Sequence, residues 1–364
     1  MQLKTSLYEK HIENNAKIIN FAGWAMPLEY NSSLKEAKST RLSCGLFDAS
    51  HMGEIRVVGK DAFKFLQRLT SNDISLTKKG QLQYNLFINK EGGIIDDFML
   101  YNFGESFLCV VNASNTQKDY NWLLSNSDKN VEIIDESLGT SLLSLQGPKA
   151  VLVLEEIFGK NIQKLNYMHF NEIFFSNKKI IVSRSGYTGE DGFELYCKWE
   201  DASNLWDLIL EKGKKYDLVL CGLGARDILR IEAGYPLYGH EISEKIDPFS
   251  TSLDWVAKFN KDFIGKEKLL EIKEKIKYRR VGFLMEEPGL ARADYKIFNS
   301  QKMIGWVTSG TYSPNLDKFI GMAFVEKDIE LGSKVEIKIR DKFYKAKIVS
   351  FSFIKKTPPV LKRK

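Results

Sequence analysis

Residues 82–101, LQYNLFINKEGGIIDDFMLY, limit the possible folds more than any other stretch of the chain. Two apolar runs flank Asn89-Lys90-Glu91-Gly92-Gly93, and the paired glycines supply the backbone freedom that a short reversal needs. The pattern predicts a β-hairpin whose second strand begins Ile94-Ile95-Asp96-Asp97. Strand alternation groups Asp96 with Ile94, Phe98 and Leu100, and Asp97 with Ile95, Met99 and Tyr101. Both faces are otherwise apolar, which places at least one carboxylate in poorly solvated surroundings. An unpaired buried carboxylate costs roughly several kcal/mol or takes up a proton. Two readings follow from pattern alone: solvated acids at a strand start, or one acid kept inside for use.

At 364 residues the chain is long for a single core and calls for two or three domains. Its 43% hydrophobic and 27% charged content is that of a soluble globular protein. No apolar run approaches the roughly 18 residues of a membrane span. The opening MQLKTSLYEK lacks the plan of a secretory signal, and folded pattern starts at once without a transit peptide, so the expectation is a cytoplasmic protein. Net charge is +6, and the dense basic stretches, 277–280 and Lys362-Arg363-Lys364, are short. That balance argues against a nucleic-acid binder and suits an acidic protein partner or an anionic small molecule. Cys44, Cys109, Cys197 and Cys221 form no CxxC pair and read as buried thiols. His11, His51, His169 and His240 lack metal-ligand spacing, so no metal site is expected.

Taken in order, residues 21–30 are aromatic, broken by Gly23 and Pro27, and read as a packed loop. A helix over 33–43 is expected, with Ser33 and Glu36 as a capping box and Gly45 as its terminal glycine. His51 and Met52 stand out in the glycine-bracketed segment 45–54, where a lone histidine reads as a structural group. Strands at 54–58 and 107–111 and a helix at 61–69 surround the hairpin and predict an antiparallel sheet flanked by helices. Further on, a helix (116–124), a strand (141–145) and a helix (150–158) are expected.

In 183–196, SRSGYTGEDGFELY, three glycines mark a tight turn between strands, and Glu194 shares a face with Tyr196. A carboxylate there can accept two hydrogen bonds from a planar donor pair, or can simply face solvent. In CGLGARDILR, Gly222 and Gly224 open a helix, but the third glycine of a dinucleotide fingerprint is missing. Arg226 falls in the first turn, against the helix dipole, with Arg230 one turn later on the same face. Such an arginine serves a ligand, or pairs with Glu232 or another acid. Aromatic-rich loops at 235–241 and 248–258 are suited to lining a pocket. A charged helix at 265–276 ends in a hinge, and from Val281 short strands and turns predict a separate small barrel or sandwich. The basic, proline-bearing tail after Phe353 is expected to be mobile.

In this order FAGWAMPLEY, GLFDASHMGE, NKEGGIIDD, SRSGYTGEDGFELY, CGLGARD, YGHEI, LDWVAKFNKDFIGKE, VTSGTYSPNL and IGMAFV resemble the glycine cleavage system T-protein family over nearly the whole chain. The resemblance implies an α+β fold: two interleaved α+β domains with antiparallel sheets over residues 1–276, and a C-terminal β-barrel over 277–364, in a three-lobed arrangement. It implies an aminomethyltransferase that takes the aminomethyl group from the dihydrolipoyl arm of H-protein. Tetrahydrofolate accepts the carbon as 5,10-methylenetetrahydrofolate, and ammonia leaves. The family's catalytic acid matches Asp97, and its folate-contacting glutamate and arginine match Glu194 and Arg226. Tyr84, Asn112, Tyr187, Met52 and Trp255 are implied to line the folate cavity. A monomer is expected, with no nucleic acid or membrane partner. Two departures stand out: Asp294 where the family favours glycine, and a tail without the folate-touching tyrosine of some members. A folate-dependent demethylase and a non-catalytic folate-binding iron–sulfur assembly factor share the fold. The intact GGIIDD and GLGARD motifs, and the lack of a KGCYxGQE-like segment, set this chain apart from both.

Overall fold

The computed structural model describes residues 2–127 and 129–356. The expected hairpin forms, Leu82–Ile88 pairing antiparallel with Ile94–Asn102. Its two glycines serve different needs. Gly92 has φ +84°, whereas a Cβ on Gly93 would meet the Glu244 carbonyl oxygen at 1.8 Å. A bulge between Phe87 and Ile88 corrects the simple alternation at the start of the second strand. Ile95 packs with Phe98 and Leu100, and Ile94 instead joins Leu86 and Ile88.

The hairpin belongs to an antiparallel five-stranded sheet, completed by Ser106–Val111, Gly53–Val58 and Glu132–Asp135. Helices Ala62–Leu69 and Thr116–Ser125 cover one face, their Phe65, Leu66, Leu69 and Leu123 meeting Ile55, Val57 and Leu100. On the opposite face Leu82, Tyr101 and Val110 pack against Leu142, Phe170 and Tyr196 of a second sheet. This sheet runs Phe170–Phe175, Lys178–Ser183, Gly192–Lys198, Thr140–Gln146, Cys44–Asp48, Leu218–Cys221. Cys44–Asp48 precedes the entire five-stranded unit, yet pairs with strands that follow it. The two units are therefore interleaved in sequence.

Several local expectations are corrected. Residues 21–30 are not a loop: Trp24–Glu29 is a strand, between Leu3–Lys4 and Lys17–Phe21 in a small third sheet. Trp24, Ala25 and Met26 bury there, and Pro27 is tolerated because it lies beside a register shift. Helix Ser33–Leu42 has no capping box. Glu36 reaches outward instead, accepting from the Tyr30, Asn31 and Gly222 N–H groups at 2.8, 3.0 and 3.0 Å. Gly45 does not end that helix but lies inside strand Cys44–Asp48. The late charged helix is only Lys266–Lys273.

Six strands from Tyr278–Met285 to Lys342–Val349 close into the C-terminal barrel. Its core is apolar, built on Val281, Phe283, Ile297, Val307, Val325 and Ile348. Asp294 adopts φ 70°, which accounts for glycine being favoured at such a position. Helix Leu223–Ala233 docks on the barrel through Ile231, which meets Ile320 and Met322. The tail expected to be mobile is laid on the body as far as Lys356: the Phe353 N–H donates to the Glu232 carbonyl at 2.9 Å, and the Lys356 ammonium lies 4.1 Å from the Tyr235 ring centre. Lys362, Arg363 and Lys364 lie outside the described residues. All four cysteines are buried and free. Among the described residues no helix is long and apolar enough to cross a membrane, and no cluster of three or more potential metal ligands forms.

Candidate active site

The hairpin resolves the two aspartates unequally. Asp96 is fully buried, whereas Asp97 is only half-buried. Asp97 accepts from the Tyr84 hydroxyl at Oδ2 (2.8 Å) and from Asn112 Nδ2 at Oδ1 (2.9 Å). The same Asn112 amide lies 2.8 Å from Asp96 Oδ1, so one side chain bridges both acids. Burial, and then the charge of Asp96, push the Asp97 carboxyl up to about 7, against the pull of its two hydrogen-bond donors. Trp255 stacks on Tyr84 with ring centres 5.9 Å apart and is itself 56% exposed, which places it at an opening beside Asp97. Met52 and Met99 each pack against the cluster between the sheets.

The opposing wall comes from the second sheet and from helix Leu223–Ala233. Glu194 Oε2 accepts from the Ser185 hydroxyl at 2.6 Å. Burial raises its proton affinity, and Ser185 and Arg226 offset part of that rise. The Arg226 guanidinium lies 4.9 Å from the Tyr187 ring centre. It forms no ion pair or hydrogen bond with any described residue, and the salt bridge to Glu232 considered from sequence is absent. Arg41 takes Glu232 instead, at 3.0 Å. Arg230, one turn on, is fully engaged by Asp227 (2.7 Å), Glu241 (3.1 Å) and Ser309 (2.8 Å). The glycines ahead of the helix serve packing: a Cβ on Gly222 would lie 2.3 Å from the Leu28 carbonyl oxygen. No phosphate cradle is needed to explain them.

Tyr187 ties the walls together. Its phenol feels the charges of Arg226 and Arg230 on one side and of Asp97 on the other. Tyr84 in turn feels Asp97, Tyr187 and Arg280. Seven of the eight sequence-derived candidates are thus linked to one another, Met52 lying apart in the cluster between the sheets, and all but the exposed Trp255 are half-buried. Two surface depressions, one lined by Lys79, Lys164 and His169 and the other by Thr140, Glu172 and Lys179, include none of them.

Sequence reasoning missed three groups nearby: Arg280, Lys356 and the pair Asp119 and Asn115. Arg280 is buried with its Nε lacking a partner, and its guanidinium lies 4.1 Å from the Phe351 ring centre. Lys356 is exposed as a residue, yet partial desolvation of its ammonium, and then Arg280, hold it below the usual lysine range. The basic run 277–280 was the available signal for Arg280, though not for its inward aim. His51, read as structural, is buried with an unpartnered Nδ1, and burial and then Arg226 lower it to about 4, so it stays neutral. The third group, Asp119 with Asn115, carried no sequence signal.

Comparison with known proteins places the whole chain. Residues 7–261 match the GCVT N-terminal domain model, and residues 279–355 match that of the glycine cleavage T-protein C-terminal barrel domain. An aminomethyltransferase of Caldanaerobacter subterraneus subsp. tengcongensis is 46% identical, over 97% of this chain and 96% of its own length. One from Bacillus subtilis is 41% identical over 98% of this chain and all of its own. The crystal structure of glycine cleavage system aminomethyltransferase T from Bartonella henselae superposes with a TM-score of 0.92 at 34% identity, covering 98% of this chain and 99% of that one.

Proposed function

The chain belongs to the glycine cleavage T-protein family and is an aminomethyltransferase, and we propose that it moves the aminomethyl carbon of dihydrolipoyl H-protein to tetrahydrofolate. The products are 5,10-methylenetetrahydrofolate, ammonia and dihydrolipoyl H-protein. The observation that carries this reading is the unpaired Arg226 facing a site whose other wall holds a carboxylate of raised proton affinity. A half-buried arginine without an acid partner fits a polar ligand edge, and Glu194 beside it can accept from the N–H groups of a pterin. Tetrahydrofolate supplies the amine nitrogens that take the carbon.

Asp97 acts as the acid–base group and as counter-charge when ammonia leaves. Positioned proton transfer of this kind contributes about 10²–10⁴-fold. Tyr84 and Asn112 fix both of its oxygens, so the carboxylate is oriented before substrate arrives. Met52, Tyr187 and Trp255 supply apolar and aromatic walls that exclude water. Arg280 and Lys356 together fit the carboxylates of the folate glutamyl tail. In this reading the folate-binding region is 1–276, the barrel is 277–364, and the protein works as a cytoplasmic monomer. The test supplies aminomethylated lipoyl H-protein with and without tetrahydrofolate and follows ammonia and methylenetetrahydrofolate. Ammonia release that ignores tetrahydrofolate would overturn it.

A further inference from the structure

Behind Asp97 lies a second layer of carboxyl groups. Asp96 is inaccessible to solvent and accepts three hydrogen bonds: from Asn112 N–H (3.1 Å), Asn112 Nδ2 (2.8 Å) and Asn115 Nδ2 (2.6 Å). Asp119, on helix Thr116–Ser125, is equally inaccessible, yet neither of its carboxyl oxygens has a donor. The adjacent lysine does not serve it. Lys118 Nζ is spent on the Ile95 carbonyl (2.7 Å), the Tyr238 hydroxyl (2.6 Å) and Glu244 (3.2 Å). From the sheet, the neighbouring titratable groups are Cys109, whose thiol is itself held protonated by burial, and the two aspartates.

A carboxylate with no donor at such a depth is untenable, so Asp119 carries its proton. A neutral carboxylic acid has one O–H to give, and Asp96 is the acceptor beside it. That bond adds a fourth donor to the three already on Asp96, about the full capacity of an ionised carboxylate. We infer that Asp119 is a positioning residue for the reaction, donating its O–H to Asp96 and fixing the Asp96 carboxyl group behind Asp97. So placed, Asp96 acts on Asp97 through its charge, which favours a proton there. Tyr84, Tyr187 and Asn112 face Asp97 from the remaining sides, and none of them carries an acid charge.

Two variants separate this role from packing. Asp119→Asn keeps a neutral side chain with a donor for Asp96. Its kcat/KM against pH should therefore keep its acid limb. Asp119→Leu removes that donor, so the hold of Asp96 on the Asp97 proton weakens. The acid limb should then move down by about one pH unit or more. An Asn variant that shifts as the Leu variant does, or a folded Leu variant with an unmoved profile, overturns the inference. The kinetic arm rests on Asp97 being the acid–base group, whereas a second measurement does not. Difference infrared spectra at pH 8 should show a protonated-carboxyl band in the wild type that Asp119→Asn loses and Asp97→Asn keeps. Glu54, also buried without a donor, contributes a band of its own, so the assignment rests on the wild-type-minus-variant difference. A difference spectrum without that band overturns the inference even if the Leu variant fails to fold.

Discussion

The five-stranded sheet and helix Leu223–Ala233 both carry charge into the interior, and they handle it in opposite ways. At the sheet, Asp96 and Asp97 crowd together with Asp119 of the covering helix, their donors are amides and one hydroxyl, and the lysine beside them points elsewhere. On the helix, Arg230 is saturated by acids and a hydroxyl while Arg226, one turn earlier, has neither. A paired buried charge mainly fixes structure, since its Coulomb gain is consumed by its own desolvation. A charge left without its complement remains available to a substrate. Asp97 and Arg226 belong to the second kind, and Glu241 and Arg230 to the first.

Substitutions can break that contrast. The largest effect expected is at Asp97. Asp97→Asn should retain folate binding and lose turnover by about 10²–10⁴-fold, measured as folate-dependent ammonia release. Arg230→Met should cost roughly 3–5 kcal/mol in urea unfolding, because it strands the inaccessible Glu241. Arg226→Met should leave unfolding nearly unchanged and weaken tetrahydrofolate about 10–100-fold, the worth of one charge-assisted hydrogen bond. If the two arginine variants behave alike in both assays, the distinction drawn between them is wrong.

Smaller effects sharpen the same comparison. Asp97 binds its proton more tightly in the folded chain than its ordinary 3.8, at about 7. Between those values the folded state therefore holds more protons than the unfolded one, so the Asp97 contribution to stability falls as pH rises through this window. Asp97→Asn should accordingly gain on the wild type in denaturation midpoint between pH 5 and pH 8. A gap that stays constant across that range would remove the raised affinity from the account. The least effect is expected at the exposed Lys356. Lys356→Met should weaken folates bearing extra glutamates by a few-fold, at about 1 kcal/mol or less, and added salt should erase the difference.

Much of this was legible in residue order. The hairpin, its reversing glycines, the antiparallel sheet and the separate barrel follow from periodicity and turn chemistry. The capping box at Ser33 was not found, because Glu36 is drawn to the Gly222 N–H, contributed from 186 residues later. The strand Trp24–Glu29 was hidden by Gly23 and Pro27, which the small sheet accommodates at a reversal and at a register shift. Arg280 could be seen as basic, but its inward aim depends on the Phe351 ring that folds back over it.

The sequence by itself determined that Asp96 and Asp97 face opposite ways, because side chains in a strand alternate whatever the strand packs against. It also settled that Arg226 and Arg230 share one helix face, because the helical repeat requires it. Tertiary structure alone decided which member of each pair is free. Asn112 and Asn115 come from a different strand end and helix to close over Asp96, and Glu241 and Ser309 come from a loop and the barrel to saturate Arg230. Solvation and pairing are properties of a neighbourhood, and those neighbourhoods form only when distant segments meet.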